Sequence, residues 1–136
     1  MGKHELDKRE YGSRYYQTRT IQDLTVLAER ILADLPPSGT YGIPASAELS
    51  IHVLADVLLQ IQVGGLSDDF TFLDRISRRY SRQAKELITL LTRIMNSHNW
   101  TNPDDLTDRR FFTSVYLLPE SEYRCGYWVP GVISVF

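Results

Sequence analysis

Apolar residues are scattered at the start of the chain and become periodic further on. Residues 1–17 are polar and charged, interleaved with Tyr11, Tyr15 and Tyr16, and show no apolar period. We read residues 1–19 as a basic, tyrosine-containing arm, ordered only where those rings dock on something. From residue 20 onward the pattern belongs to a single globular domain, 20–136. Ile21, Leu24, Leu27, Ala28, Ile31 and Leu35 recur at three- and four-residue spacing. That spacing predicts a first helix, capped by Thr20 and ending before Pro36-Pro37. Residues 36–44 read as a loop by their Pro, Gly and Ser content.

The next stretch, about Ala45 to Val63, reads as a second helix stopped by Gly64-Gly65. Leu49, Ile51, Val53, Leu54, Val57, Leu58 and their neighbours cover nearly its whole circumference. They leave a narrow polar stripe of Glu48, His52, Asp56 and Gln60, each four apart. A helix apolar almost all round belongs at a molecular centre or at a subunit interface. A third helical stripe runs from Phe72 and Leu73 through Ile76, Tyr80, Ala84, Leu87 and Leu91 to Met95, as one helix over 67–98 or two with a break near Tyr80-Ser81. Asn102-Pro103-Asp104-Asp105 has the cap, proline and acids of a short helix start, reaching about Arg110.

After residue 110 the pattern changes to period two. Residues 111–118 are rich in aromatic and β-branched side chains, and Tyr123, Cys125, Tyr127 and Val129 alternate after a turn at Pro119. These signals predict a β-hairpin over about 111–136, with 132–136 as a third strand. The expected fold class is α+β and predominantly helical: three to four helices over about 20–110, then a C-terminal β-hairpin or small antiparallel sheet.

Composition narrows the class. At 136 residues with 43% hydrophobic content, the chain can bury a core without staples. One cysteine excludes an intrachain disulfide framework and a four-cysteine zinc site. The charged start lacks the apolar run of a secretory signal, and Leu49–Val63 is too short and too polar to span a bilayer. A cytoplasmic protein with no membrane partner is the expectation. The net charge of −2 hides an uneven distribution. Residues 20–72 hold seven acids against Arg30, and residues 73–98 hold six cations against Asp74 and Glu86. Such asymmetry can steer a partner or be satisfied internally.

The cations give the strongest candidate site. Arg75, Arg78, Arg79 and Arg82 stand at i, i+3, i+4 and i+7, one face of a helix, and Lys85 extends it. An acidic protein surface or nucleic-acid phosphates would suit that face. A solvated face, with Asp74–Arg78 and Arg82–Glu86 as i,i+4 pairs, is the plainer alternative. Glu48, His52 and Asp56 have ligand chemistry for a first-row metal, but a single helix rarely completes a site, so no metal and no cofactor is expected. Cys125 sits in a strand pattern, away from any helix start that would activate it. No nucleophile elbow, phosphate loop or dinucleotide fingerprint occurs, so no catalytic residue is assigned and no enzyme is expected. Of the aromatic tail, Trp128 is the residue expected at an interface, opposite Tyr123, Cys125 and Tyr127.

Together these features suggest a small non-enzymatic interaction or regulatory protein. Helix two would pack on its symmetry mate in a homodimer, while Arg75–Arg82 dock an acidic protein partner. The alternative is a nucleic-acid binder using the same stripe and the N-terminal arm.

Overall fold

The segment that reads as an all-round apolar helix is a pair of strands. The computed structural model describes residues 8–74, 76–119 and 131–135. Its elements in chain order are β1 (Glu10–Tyr11), α1 (Tyr15–Thr18), α2 (Leu24–Asp34), β2 (Glu48–Leu54), β3 (Leu58–Leu66), α3 (Asp68–Thr71), β4 (Phe72–Asp74), β5 (Arg79–Tyr80), α4 (Arg82–Asn96), β6 (Trp100–Asn102), β7 (Asp105–Arg109), β8 (Phe112–Pro119) and β9 (Gly131–Val135). Among the described residues strand outweighs helix, and α1 and α3 are single turns. The predominantly helical expectation is therefore corrected to a mixed α+β fold with three sheets.

The main sheet has the order β8-β3-β2-β9. β2 and β3 form an antiparallel hairpin with Ile51 opposite Ile61 and Val53 opposite Leu59. Ile-His-Val and Leu-Gln-Ile-Gln-Val alternate strictly, so Ile51, Val53, Leu59, Ile61 and Val63 share one face, all 0% exposed. A four-residue polar spacing is also two strand periods. Glu48, His52 and Gln60 thus lie on the opposite face, while Asp56 sits in the turn. That turn places Ala55 and Asp56 at φ of 53° and 58°, the sign a tight hairpin needs at both central residues. With the apolar helix goes the structural argument for a dimer. Gly64-Gly65 is likewise no helix stop: Gly65 has φ of 74° where the β3–β8 register shifts, and a Cβ there would collide with the Ser46 carbonyl oxygen.

The C-terminal strands do not pair with each other. β8 runs parallel to β3 at one edge of the sheet, and β9 runs parallel to β2 at the other. The third strand expected over 132–136 is β9, which joins β2, while the alternating stretch 123–129, the second strand of the expected hairpin, lies outside the described residues.

α2 lies against β2 and β9, and α4 against β8. Leu27, Ala28 and Ile31 from α2, with Ala84, Leu87, Leu91 and Met95 from α4, close the core over the apolar sheet face. α2 falls where its spacing predicts but starts later, at Leu24, with the Asp23 carboxylate accepting from the Thr25 amide at 2.8 Å. α4 begins only at Arg82, where the Ser81 hydroxyl accepts from the Ala84 amide at 3.0 Å. The stripe over 67–98 therefore breaks near Tyr80-Ser81, as the two-helix alternative has it, and the part before the break is corrected from helix to α3 and the β4–β5 hairpin. Asn102-Pro103-Asp104 is a hairpin turn between β6 and β7 and no helix start. Its Asn102 side chain accepts from the Asp104 amide at 2.9 Å, which the same sequence signature also permits. No helix among the described residues is long and apolar enough to cross a membrane.

Candidate functional site

Two regions carry concentrated polar chemistry, and they differ in exposure. The first is the β4–β5 hairpin with the start of α4. Phe72 pairs with Tyr80 across the hairpin, their ring centroids 6.2 Å apart and nearly parallel at 16°. Arg78 adopts a φ of 54°, which no α-helix contains, and lays its guanidinium 4.3 Å from the Phe72 ring centre. The Asp74 side chain accepts from the Ile76 amide at 2.9 Å, and the Asp74 carbonyl from the Arg78 amide at 2.9 Å, closing the turn. At the base, the Ser81 amide donates to the Thr71 carbonyl at 2.9 Å and the Ser81 hydroxyl donates to the Phe70 carbonyl. The hairpin is thus tied to the residue that caps α4.

The expected four-arginine helix face does not form. Arg78 and Arg79 belong to the hairpin and Arg82 and Lys85 to the first turns of α4; Arg75 and Trp128 lie outside the described residues. The four described cations are all exposed and lie on consecutive elements, β5 and α4 with the turn before them. Arg82 pairs with Glu86 at 3.1 Å, but both side chains are mostly in water, so the pair adds little stability. Beside it a shallow groove of about 360 Å³ runs along α4 between Arg82, Lys85, Glu86, Thr89, Leu90 and Arg93. The sequence pattern did not reveal the apolar part of this surface. Leu73 is 68% exposed and Ile76 94%, although their spacing reads as core.

The second region is buried, and its one sequence signal is a histidine at the end of a helical stripe. His98 follows α4 and is fully enclosed. Its Nε2 lies 2.7 Å from Asp34 Oδ2, and its Nδ1 lies 3.2 Å from Thr18 Oγ1. Arg110 donates through Nη1 to Thr18 Oγ1 at 3.1 Å and to the His98 carbonyl at 2.6 Å. Through Nη2 it donates to the carbonyls of Thr18 at 2.6 Å and Ile21 at 3.0 Å. Arg14 and Arg30 reach Asp34 at 3.3 and 3.6 Å. The proton inventory assigns the tautomer: Arg110 donates to the Thr18 hydroxyl, that hydroxyl to Nδ1, and Nε2–H to the Asp34 carboxylate. Burial pushes the His98 imidazole below its ordinary value, outweighing the hydrogen bond to Asp34 that raises it. Burial acts to raise the Asp34 carboxyl, but the hydrogen bond with His98 and the charges of Arg30 and Arg14 hold it below the usual range. Burial also lowers Arg110.

Thr18, His98 and Asp34 are the residue types of a nucleophile, base and orienting acid. The Thr18 hydroxyl is 0% exposed and already engaged on both sides, so no substrate atom can approach it. This network joins chain segments; it does not open to a ligand.

On the sheet face away from the helices, the Ser50 hydroxyl lies 3.2 Å from His52 Nε2, Gln62 donates to Gln60 at 2.8 Å and Gln60 to Ser114 at 3.3 Å. Burial lowers the His52 imidazole. Glu48, His52 and Asp56 do not converge, and among the described residues no three His, Cys, Asp or Glu side chains stand together to hold a metal. Compared with known protein families, curated proteins and solved structures, the chain matches none.

Proposed function

We propose that the chain is a cytoplasmic, non-enzymatic binding module that presents the β4–β5 hairpin and the start of α4 to an acidic, amphipathic segment of another protein. One observation carries this reading: Leu73 and Ile76 stand in water on a hairpin bordered by Arg78, Arg79, Arg82 and Lys85. Exposed aliphatic side chains cost free energy until something covers them, at about 25 cal/mol per Å² of apolar surface. Apolar anchors ringed by charge are the usual anatomy of a protein-binding patch. The arginines then choose a partner by sign and speed its approach.

The same geometry weighs against single-stranded nucleic acid. Base stacking needs free aromatic faces. Here Phe72 is buried, stacked with Tyr80 and covered by the Arg78 guanidinium. The test is an NMR titration of the labelled chain with a glutamate–leucine amphipathic peptide and, separately, with a single-stranded oligonucleotide. The peptide should shift amides over 73–85, and an Ile76→Ser/Arg79→Glu variant should abolish the shifts. An oligonucleotide response that falls steeply with salt, with no peptide response, would reverse the assignment. Silence with both ligands would refute the binding surface altogether.

A further inference from the structure

The segment 12–21 is attached by polar links far more than by apolar burial. Thr18 is its only buried residue. Its attachments are the Gly12 amide donating to the Asn99 carbonyl at 2.8 Å, the Arg14 amide to the Ser97 carbonyl at 2.7 Å, the Arg14–Asp34 pair, Arg30 donating to Gln17 at 3.1 Å, and the Thr18–His98–Arg110 cluster. Gly12 permits the close approach: a Cβ there would strike the carbonyl oxygens of Asn96 and Ser97. The cluster centres on one imidazole with both nitrogens engaged.

The charged groups facing that imidazole are Asp34 and Arg30 from α2, Arg14 ahead of α1, and Arg110 ahead of β8, whose guanidinium lies 5.1 Å from the Tyr15 ring centre. One carboxylate already answers two guanidinium groups, Arg14 and Arg30, and Arg110 adds a third positive charge beside the ring. An imidazolium would be a fourth cation sharing that one carboxylate. It would also put a hydrogen on Nδ1, facing a Thr18 oxygen that already accepts from Arg110, and Thr18's own proton would be left with only the Tyr15 carbonyl at 3.5 Å.

We propose that His98 is the release point of a proton-operated clasp: when the buried imidazole takes up a proton, residues 12–21 undock from the ends of α2 and α4 while the helix–sheet core stays folded. The core has its own support: of the segment only the partly buried Ile21 packs against it, while Leu27, Ile31, Leu87, Leu91 and Met95 bury one another. The sign follows from linkage. A histidine held below 6.5 when docked returns toward 6.5 when released, so protons favour release as the pH falls through that value. Asp34 is held below 3.8, so its neutralisation comes later and does not set the step. Undocking frees the Asn99 and Ser97 carbonyls at the end of α4, a new surface for a partner.

Hydrogen exchange measured at about pH 7.5 and about pH 5, corrected for intrinsic rates, tests the clasp. The amides of Gly12, Arg14, Gln17 and Ile21 should lose about tenfold or more of their protection, while those of Leu87–Met95 keep theirs. In His98→Gln, which retains a donor toward Asp34, the segment's protection should no longer depend on pH in that window. In the wild-type chain, the His98 ring resonances should titrate in step with loss of the Gly12 and Arg14 amide signals. The clasp is refuted if His98 titrates with those amides unchanged, if α4 loses protection together with the segment, or if His98→Gln keeps the acid step.

Discussion

The helix–sheet core and the 12–21 segment are held by opposite means. Facing residues of β2 and β3 are fully buried hydrocarbon, sealed by α2 and α4. The segment rests on amide, guanidinium and imidazole contacts around a single buried threonine. Apolar burial is indifferent to pH and forgiving of small shifts, but it is sensitive to lost volume. A buried polar network is the reverse. It tolerates little geometric change and fails when a single partner is removed or reprotonated. The molecule therefore has one part that should answer to volume and another that should answer to charge.

Substitutions can separate the two. Leu91→Ala should have the largest effect, a loss of about 2–5 kcal/mol in global stability by denaturant titration, equal at neutral and mildly acid pH. Arg110→Met comes next. It strands the carbonyls of Ile21 and His98, each group costing about 1–3 kcal/mol when left unsatisfied, and leaves the Thr18 carbonyl with the Ile21 amide alone. Most of that loss should appear as local exchange over 12–21, with a smaller change in the global midpoint. If Arg110→Met lowered the global transition as much as Leu91→Ala, the two regions would be one cooperative unit. Ile76→Ser should shift stability least, within about 0.5 kcal/mol, because the side chain is in water. A large loss there would mean that Ile76 supports the fold and is not held ready for a partner.

How much of this was legible depended on whether the signal was local. α2 could be read from Leu24, Leu27, Ala28 and Ile31 because a helix is specified by neighbours in sequence. The apolar face of α4 could be read too, and its start coincides with the break near Tyr80-Ser81 that the two-helix alternative places there. The stripe through Phe72, Ile76 and Tyr80 continues the same spacing by chance, so the hairpin before that break reads as helix. β2 and β3 were misread because Glu48, His52, Asp56 and Gln60 fit a four-residue period, which is also twice two. Ile-His-Val and Leu-Gln-Ile-Gln-Val held the better signal. The pairing of β8 with β3, and of β9 with β2, is set by tertiary packing and leaves no local mark. The candidate surface was half legible: the cations stood out, but their single helix face did not exist and the exposed aliphatics were assigned to the core. The His98 cluster joins residues from four separate stretches of chain, and only the fold brings Thr18, Asp34 and Arg110 to that ring.

The place of β9 has a consequence for how the protein is made. It lies beside β2, with Ile51 opposite Val132, a contact spanning about eighty residues of chain. A ribosome releases residues in order, so β2 must wait with one edge bare until Val135 has emerged. During that wait the nascent chain offers an open strand to any neighbour. Slowing the codons for β9 should therefore raise its tendency to aggregate, and the lesion would lie in timing with no change in the finished sequence.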